Sequence, residues 1–207
     1  MGLKVKKKKG EALPPMDAGT YPAVCIGIVD LGEQYSELFK NYSDKVLIIW
    51  EIPSQTVTVD GEEKPRWLSK DFSASLNEKS NLYKFLVPWR GKPFTEEELS
   101  AEGDGFDLKE MLGQGCFLQV IVDENDDGTK RNKITTVIAL PAGMSAPETA
   151  TEKMVFDMDA WDDAVLEKLP EWVQDRIKKS TQYQKDHTPT TEVDIKEPEA
   201  EKGACPI

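Results

Sequence analysis

The chain holds a single histidine, His187, and only three cysteines, Cys25, Cys116 and Cys205, among 207 residues. Each scarcity removes a class of function. A structural zinc site needs about four His or Cys ligands brought together, and these residues are few and scattered along the chain. A Ser or Cys nucleophile needs a base beside it, and the one histidine falls in a segment read as tail. An odd cysteine count with no close pair argues against a disulfide framework and for a reducing compartment, here read as the cytoplasm of a bacterial host. No apolar run approaches the roughly 20 residues that a bilayer-spanning helix needs. No glycine loop has the spacing that cradles phosphate; Gly103-Asp104-Gly105 and Gly113-Gln114-Gly115 read as helix boundaries. The basic start MGLKVKKKKG lacks an apolar stretch behind it and is no secretory signal, and Lys6 stands where a myristoylation signal needs Ser or Thr. The acidic pairs Asp126-Asp127 and Asp162-Asp163 read as solvated surface. No catalytic residue, metal ligand or cofactor is expected, and the chain is read as non-enzymatic.

What is abundant is negative charge. The formal net charge is −12, unevenly spread. Residues 1–10 carry five lysines and no acid, residues 19–141 carry 13 basic against 21 acidic side chains, and residues 151–207 carry 8 against 14. An acidic middle weighs against nucleic-acid binding, which is driven by cation–phosphate contacts, unless cations collect on one local surface.

The pattern of apolar residues divides the chain into a flexible basic arm (1–18), a β domain (19–143), a linker (144–151), a helical extension (152–185) and a disordered acidic tail (186–207). In the β domain, "TYPAVCIGIVDLG" is β-branched and alternating. "EQYSELFKNYS" reads as a loop or widened strand. "DKVLIIWEIP" is apolar on both faces, so both are expected to be covered. Asp60-Gly61 marks a hairpin, with a return strand over about Arg66 to Ala74. Ser80 caps a helix that Pro88 and Gly91 end, Thr95 and Glu98 form a capping box, and "FDLKEMLG" makes another short helix. "CFLQVIVDEN" and "KITTVIALP" supply two more strands. In the extension, Trp161, Val165 and Leu169 form one helical stripe, and Trp172, Val173 and Ile177 line the next helix, with Pro170 at its start.

Three strands, a helical insert, then two strands is the order of an OB-fold, a five-stranded Greek-key barrel with its helix between strands 3 and 4. That fold takes single-stranded nucleic acid across its second and third strands, flanked by the loops between strands 1 and 2 and between strands 4 and 5. Cations would contact phosphates and aromatic rings would stack on bases. The candidates are Tyr35, Phe39, Lys40 and Tyr42 in the first loop, Arg66, Trp67, Lys70 and Phe72 on the third strand, and Lys130, Arg131 and Lys133 in the last loop. On a regular strand Trp67 and Phe72 face opposite ways. Arg66, Lys70 and Phe72 then share a face, favouring Phe72 as the base stacker.

The stretches "KPRWLSKDFSASLNEKSNLYKFLVPWRGKPFTEEEL", "FDLKEMLGQGCFLQVIV", "KITTVIALPAG" and "LPEWVQDRIKKSTQY" resemble a family of phage and prophage replication-module proteins, and the likeness spans most of residues 20–183. It implies an OB-like domain that binds single-stranded DNA in phage replication or recombination, and it supplies no catalytic residues. The end of the chain also resembles the acidic tail of bacterial single-stranded DNA-binding proteins, which docks partner proteins. Glu197, Glu199 and Glu201 precede Pro206-Ile207, but Lys202 and Gly203 interrupt them and Ile stands where that tail has Phe, so a simple solubilising tail is the preferred reading. Expected partners are single-stranded DNA, replication or recombination proteins at the C-terminal region, and a second copy of the chain. The alternative function is an acidic OB-fold adaptor that binds replication or recombination proteins without touching DNA.

Overall fold

A computed structural model describes residues 13–59, 61–100, 105–125 and 127–187. The expectations for the first twelve residues and for 188–207 lie outside the described residues. The protein is mainly β. Among the described residues six strands, β1 (Gly19–Ser36), β2 (Asn41–Val59), β3 (Glu62–Ser73), β4 (Gly115–Glu124), β5 (Lys130–Ala139) and β6 (Met154–Phe156), form one sheet. Its order is β3-β2-β1-β4-β5, antiparallel throughout, with β6 added parallel to β1. One edge of β1 pairs with β2. The other pairs first with β4, over Gly19–Val24, and then with β6, over Gly27–Val29.

Register shifts in β1, between Cys25 and Gly27 and between Asp30 and Gly32, decide which side chains face which way. Strict alternation would put Ile26 and Ile28 on one face. The first shift turns Ile26 outward and keeps Cys25 and Ile28 inward, as a bulge does by inserting one unpaired residue. The second shift is met by Gly32 in the left-handed region, φ 65°.

The sheet has two cores. The inner one joins Ala23, Cys25 and Ile28 of β1, Val46, Ile48, Trp50 and Ile52 of β2, Phe72 of β3 and the inward residues of β4 and β5 to the helical insert. The insert comprises α1 (Asn81–Arg90), α2 (Glu96–Leu99) and a 3-10 turn at Leu108–Met111. Ser80 accepts the Tyr83 N–H at the start of α1, and Gly91, φ 68°, closes it. Pro88 does not end the helix as expected: it lies inside the last turn, and Leu82, Leu86 and Trp89 still reach the core. The capping box of Thr95 and Glu98 is formed. The Arg90 guanidinium lies 4.1 Å from the Phe94 ring centre and 4.3 Å from that of Phe106, and ion-pairs with Glu98. The Thr95 N–H first, and Arg90 next, hold the Glu98 carboxyl below its ordinary value.

The outer core lies on the other face of β1 and β2. Ile26, Val29, Leu31, Leu47 and Ile49 pack there against Phe156 of β6, Leu166 and Leu169 at α3 (Asp163–Lys168), and Val173 and Ile177 of α4 (Glu171–Ile177). Thus β2 is covered on both faces, as its unbroken apolar run requires. α5 (Thr181–His187) follows against β1. Trp172, expected on the buried stripe, is instead exposed; Val173 and Ile177 carry the packing. Among the described residues no helix is long and apolar enough to cross a membrane.

β3 and β5 are the sheet's edges. They meet through side chains rather than through a ladder: Lys70 donates to the Ile134 carbonyl at 3.1 Å, and Arg66 reaches Asn132 Oδ1 at 3.4 Å. The segment expected to be part of a flexible arm helps to close this seam, with Met16 buried in the inner core.

Candidate functional site

The expected groove would cross the outer face of β2 and β3. That face is not open. Glu51 of β2, fully buried, accepts the Ala150 N–H at 2.8 Å and the Thr151 N–H at 3.1 Å through its two carboxylate oxygens. Trp67 of β3 points the same way, and its indole N–H donates to Thr151 Oγ1 at 3.1 Å. Beyond them the outer core is sealed by Phe156, Leu166, Leu169, Val173 and Ile177. Burying a large apolar side chain contributes about 1.5–3 kcal/mol, so these five hold the cover with roughly 10 kcal/mol of apolar burial. A base stacked on an aromatic ring contributes about 1–3 kcal/mol. A single stacked base does not offset that cover.

The opposite face of β3 is no groove either. Arg66, Lys70 and Phe72 do share it, but it is the inner face. Phe72 is 3% exposed and meets Phe85 edge-on, with ring centres 5.0 Å apart. It has no free surface for a base, which corrects its expected role. Arg66 is 8% exposed and donates to the Pro14 carbonyl at 2.5 Å. Burial pulls its pKa down from the ordinary value. The Lys70 ammonium lies 4.8 Å from the Phe85 ring centre while bonding Ile134. Burial first, and then the neighbouring Lys133 charge, lower its pKa, against the opposing pull of Asp71. Both cations tie β3 to its neighbours, so neither is set to meet phosphate.

The first-loop candidates stand differently. β1 and β2 run on as a regular ladder to the pair Ser36–Asn41, so the expected loop is a hairpin with a turn at residues 37–40. Tyr35 and Tyr42 face each other across it, ring centres 5.0 Å apart. Phe39 is 73% exposed, and Leu38, which the sequence reading passed over, is 82% exposed. Lys40 sits beside them with φ 51°, the one non-glycine residue described with a positive φ. The signal for Leu38 was present: two adjacent large apolar residues inside an otherwise polar turn.

The C-terminal helices brace this hairpin at its base. Gln182 Oε1 accepts the Glu33 N–H at 2.8 Å, Thr181 donates to the Glu33 carboxylate at 2.6 Å, and Gln34 donates to the Arg176 carbonyl at 2.9 Å. The tip is therefore a projecting apolar platform on a fixed root. Near its base lies a cleft of about 620 Å³ whose lining includes Asp30, Asp44, Asp107 and Asp157 together with Lys45 and Lys109. Burial, opposed by the Gly32 N–H and reinforced by Asp157, raises the Asp30 pKa. Those carboxylates disfavour phosphate in the cleft and leave the tip as the accessible surface.

Lys130, Arg131 and Lys133 are exposed on β5. Asp123 of β4 lies 3.1 Å from the Lys133 ammonium and 3.9 Å from Arg131. They adjoin Arg66 and Lys70 at the β3–β5 seam. The hairpin tip lies elsewhere: Tyr42 and Ile52, the partner of Arg66, are separated by about 33 Å of β2 contour at 3.3 Å per residue. The candidates thus form two groups, an aromatic tip and a cationic seam. Among the described residues no cluster of His, Cys, Asp or Glu is arranged to hold a metal ion. No protein-family model matches this chain, and no curated protein matches it.

Proposed function

We propose that the chain is an OB-fold protein without enzymatic chemistry that binds single-stranded DNA in phage replication or recombination, in the bacterial cytoplasm. The strand order, the helical insert between β3 and β4, and the meeting of β3 with β5 support the OB reading. The observation that carries the function is the hairpin tip. Tyr35, Leu38, Phe39 and Tyr42 are all exposed on one projecting turn, where a monomeric domain ordinarily keeps large apolar side chains apart. Aromatic rings presented in this way stack on unpaired bases of any sequence. The bases engage the tip of the first loop, because the sheet face beside it is filled by the chain's own C-terminal segment.

The test is titration of labelled oligo(dT) across a range of salt. Binding that weakens as salt rises supports the reading; no binding even at low salt overturns it. The second reading, an adaptor for replication or recombination proteins, is favoured by Leu38, whose aliphatic side chain has no ring to stack on a base. It predicts capture of a protein partner through the same tip with no affinity for oligo(dT).

A further inference from the structure

Beside the outer core, three aromatic rings meet. Tyr183 and His187 stand four residues apart on α5, one above the other, and stack with ring centres 3.9 Å apart and planes at 10°. Trp161, in the turn before α3, approaches both, its ring centre 5.6 Å from that of Tyr183 and 6.2 Å from that of His187. Each ring is held. Phe156 meets Trp161 edge-on at 5.1 Å, and the Trp161 indole N–H donates to Asp163 Oδ1 at 2.8 Å. The His187 Nδ1–H donates to the Tyr183 carbonyl at 3.0 Å. α5 is itself pinned to β1, because Gln182 accepts the Glu33 N–H and Thr181 donates to the Glu33 carboxylate. The rings line a cavity of about 440 Å³ whose wall also carries Asp159, Asp163 and Asp186 and no lysine or arginine. Among the described residues no cation pairs with these three carboxylates. The cleft at the hairpin root is different: lysines share its lining, and Lys109 and Asp157 already pair there at 2.8 Å.

We propose that this cavity binds a guanidinium group, the side chain of an arginine presented by another protein. A cation is drawn to the face of an aromatic ring, to tryptophan most strongly. The carboxylates select among cations. A quaternary ammonium has no N–H, so it would take water from the three aspartates without replacing the lost bonds. A lysine ammonium donates bonds but has no flat face to lay on a ring. Guanidinium has both the face and a fork of donors that matches a carboxylate. A free arginine molecule would bring its own carboxylate against the acidic wall, whereas an arginine within a peptide does not. The chain's own four arginines are engaged elsewhere: Arg66 bonds the Pro14 carbonyl, Arg90 pairs with Glu98, Arg176 pairs with Asp71, and Arg131 lies 3.9 Å from Asp123. The site does not depend on the DNA-binding reading. It gives the C-terminal helices a second task besides covering the sheet.

His187 is the only histidine, so its ring C–H signals in the NMR spectrum of the full chain report on this cavity alone. The protein is titrated at one fixed pH and low salt with the peptide acetyl-Gly-Arg-Gly-amide, its lysine counterpart, free arginine and tetramethylammonium. The arginine peptide is expected to move the His187 signals saturably, with the lysine peptide about 5-fold weaker or worse. The double variant Asp159→Asn with Asp186→Asn, both exposed positions, is expected to bind the arginine peptide about 10-fold more weakly with an unchanged unfolding curve. Signals that stay still with the arginine peptide overturn the proposal, as does binding that survives the double variant. Tighter binding of tetramethylammonium makes the site an alkylammonium cage and overturns it. Free arginine binding as tightly as the peptide assigns the cavity to a small molecule and overturns it. Movement of the same signals on dilution of the protein alone shows a second copy in the cavity and overturns it too.

Discussion

The β1–β2 hairpin carries Tyr35, Phe39, Lys40 and Tyr42 within eight residues; β3 carries Arg66, Trp67, Lys70 and Phe72 within seven. The two inventories are nearly the same. The hairpin extends past both cores, and its rings face solvent. β3 has a core on each side, so Phe72 fills the inner one, Trp67 packs against the outer one, Lys70 bonds β5 and Arg66 bonds the segment before β1. Aromatic and cationic residues stay exposed only where the sheet has no use for them.

Breaking this comparison by stability gives the largest effects. Phe72→Ala is expected to cost about 3–5 kcal/mol in urea unfolding, because it empties a packed site, whereas Phe39→Ala is expected to stay within about 0.5 kcal/mol. Equal costs would erase the distinction between the two stretches. Glu51→Ala is expected to cost about 3 kcal/mol, because the Ala150 and Thr151 N–H groups lose a shared buried carboxylate. Faster amide exchange at those two residues would trace the loss to the C-terminal cover.

The dryness of the inner face is readable from its thiols. Burial pushes Cys25 from 9.0 up to about 12, and Cys116 shifts in the same direction. Below pH 9 the Cys25 thiol is protonated in both folded and unfolded chains and contributes no slope. Above it the unfolded thiol releases a proton that the folded one keeps, so the unfolding free energy falls by about 1.4 kcal/mol per pH unit. Cys25→Ala should remove that share of the slope between pH 9 and 10; an unchanged slope would mean that the thiol is not dry. A smaller effect than the core substitutions belongs to Trp67→Phe, which loses the bond to Thr151 at a cost of about 1 kcal/mol and leaves oligo(dT) affinity as it was, since Trp67 lies under the cover.

Much of the fold was legible. The five long strands, the hairpin that pairs Val59 with Glu62, the Ser80 cap, the capping box and the two-sided burial of β2 follow from local chemistry and periodicity. What was not legible depends on partners far away in sequence. β6 is three residues long and gains its structure only from the edge of β1. The phase of β1 changes at a register shift beside Gly27, a glycine whose bulge signal the alternation count passed over. Arg66, Lys70 and Phe72 were rightly placed on one face, but alternation does not say whether that face looks inward or outward. The exposure of the hairpin aromatics was legible because they sit in a polar stretch with no alternation to bury them. The burial of Met16, expected within a flexible arm, depends on Asn132, more than 100 residues away.

The central claim is that the hairpin tip stacks on unpaired bases while the β3 strip serves the core. Its most direct test is the oligo(dT) affinity of Phe39→Ala and of Tyr42→Ala, each beside the parent chain at one low salt concentration, with unfolding curves to show that stability is unchanged. At about 1–3 kcal/mol per stack, each is predicted to bind about 5-fold to 150-fold more weakly. Parent-like affinity in both variants would contradict the claim.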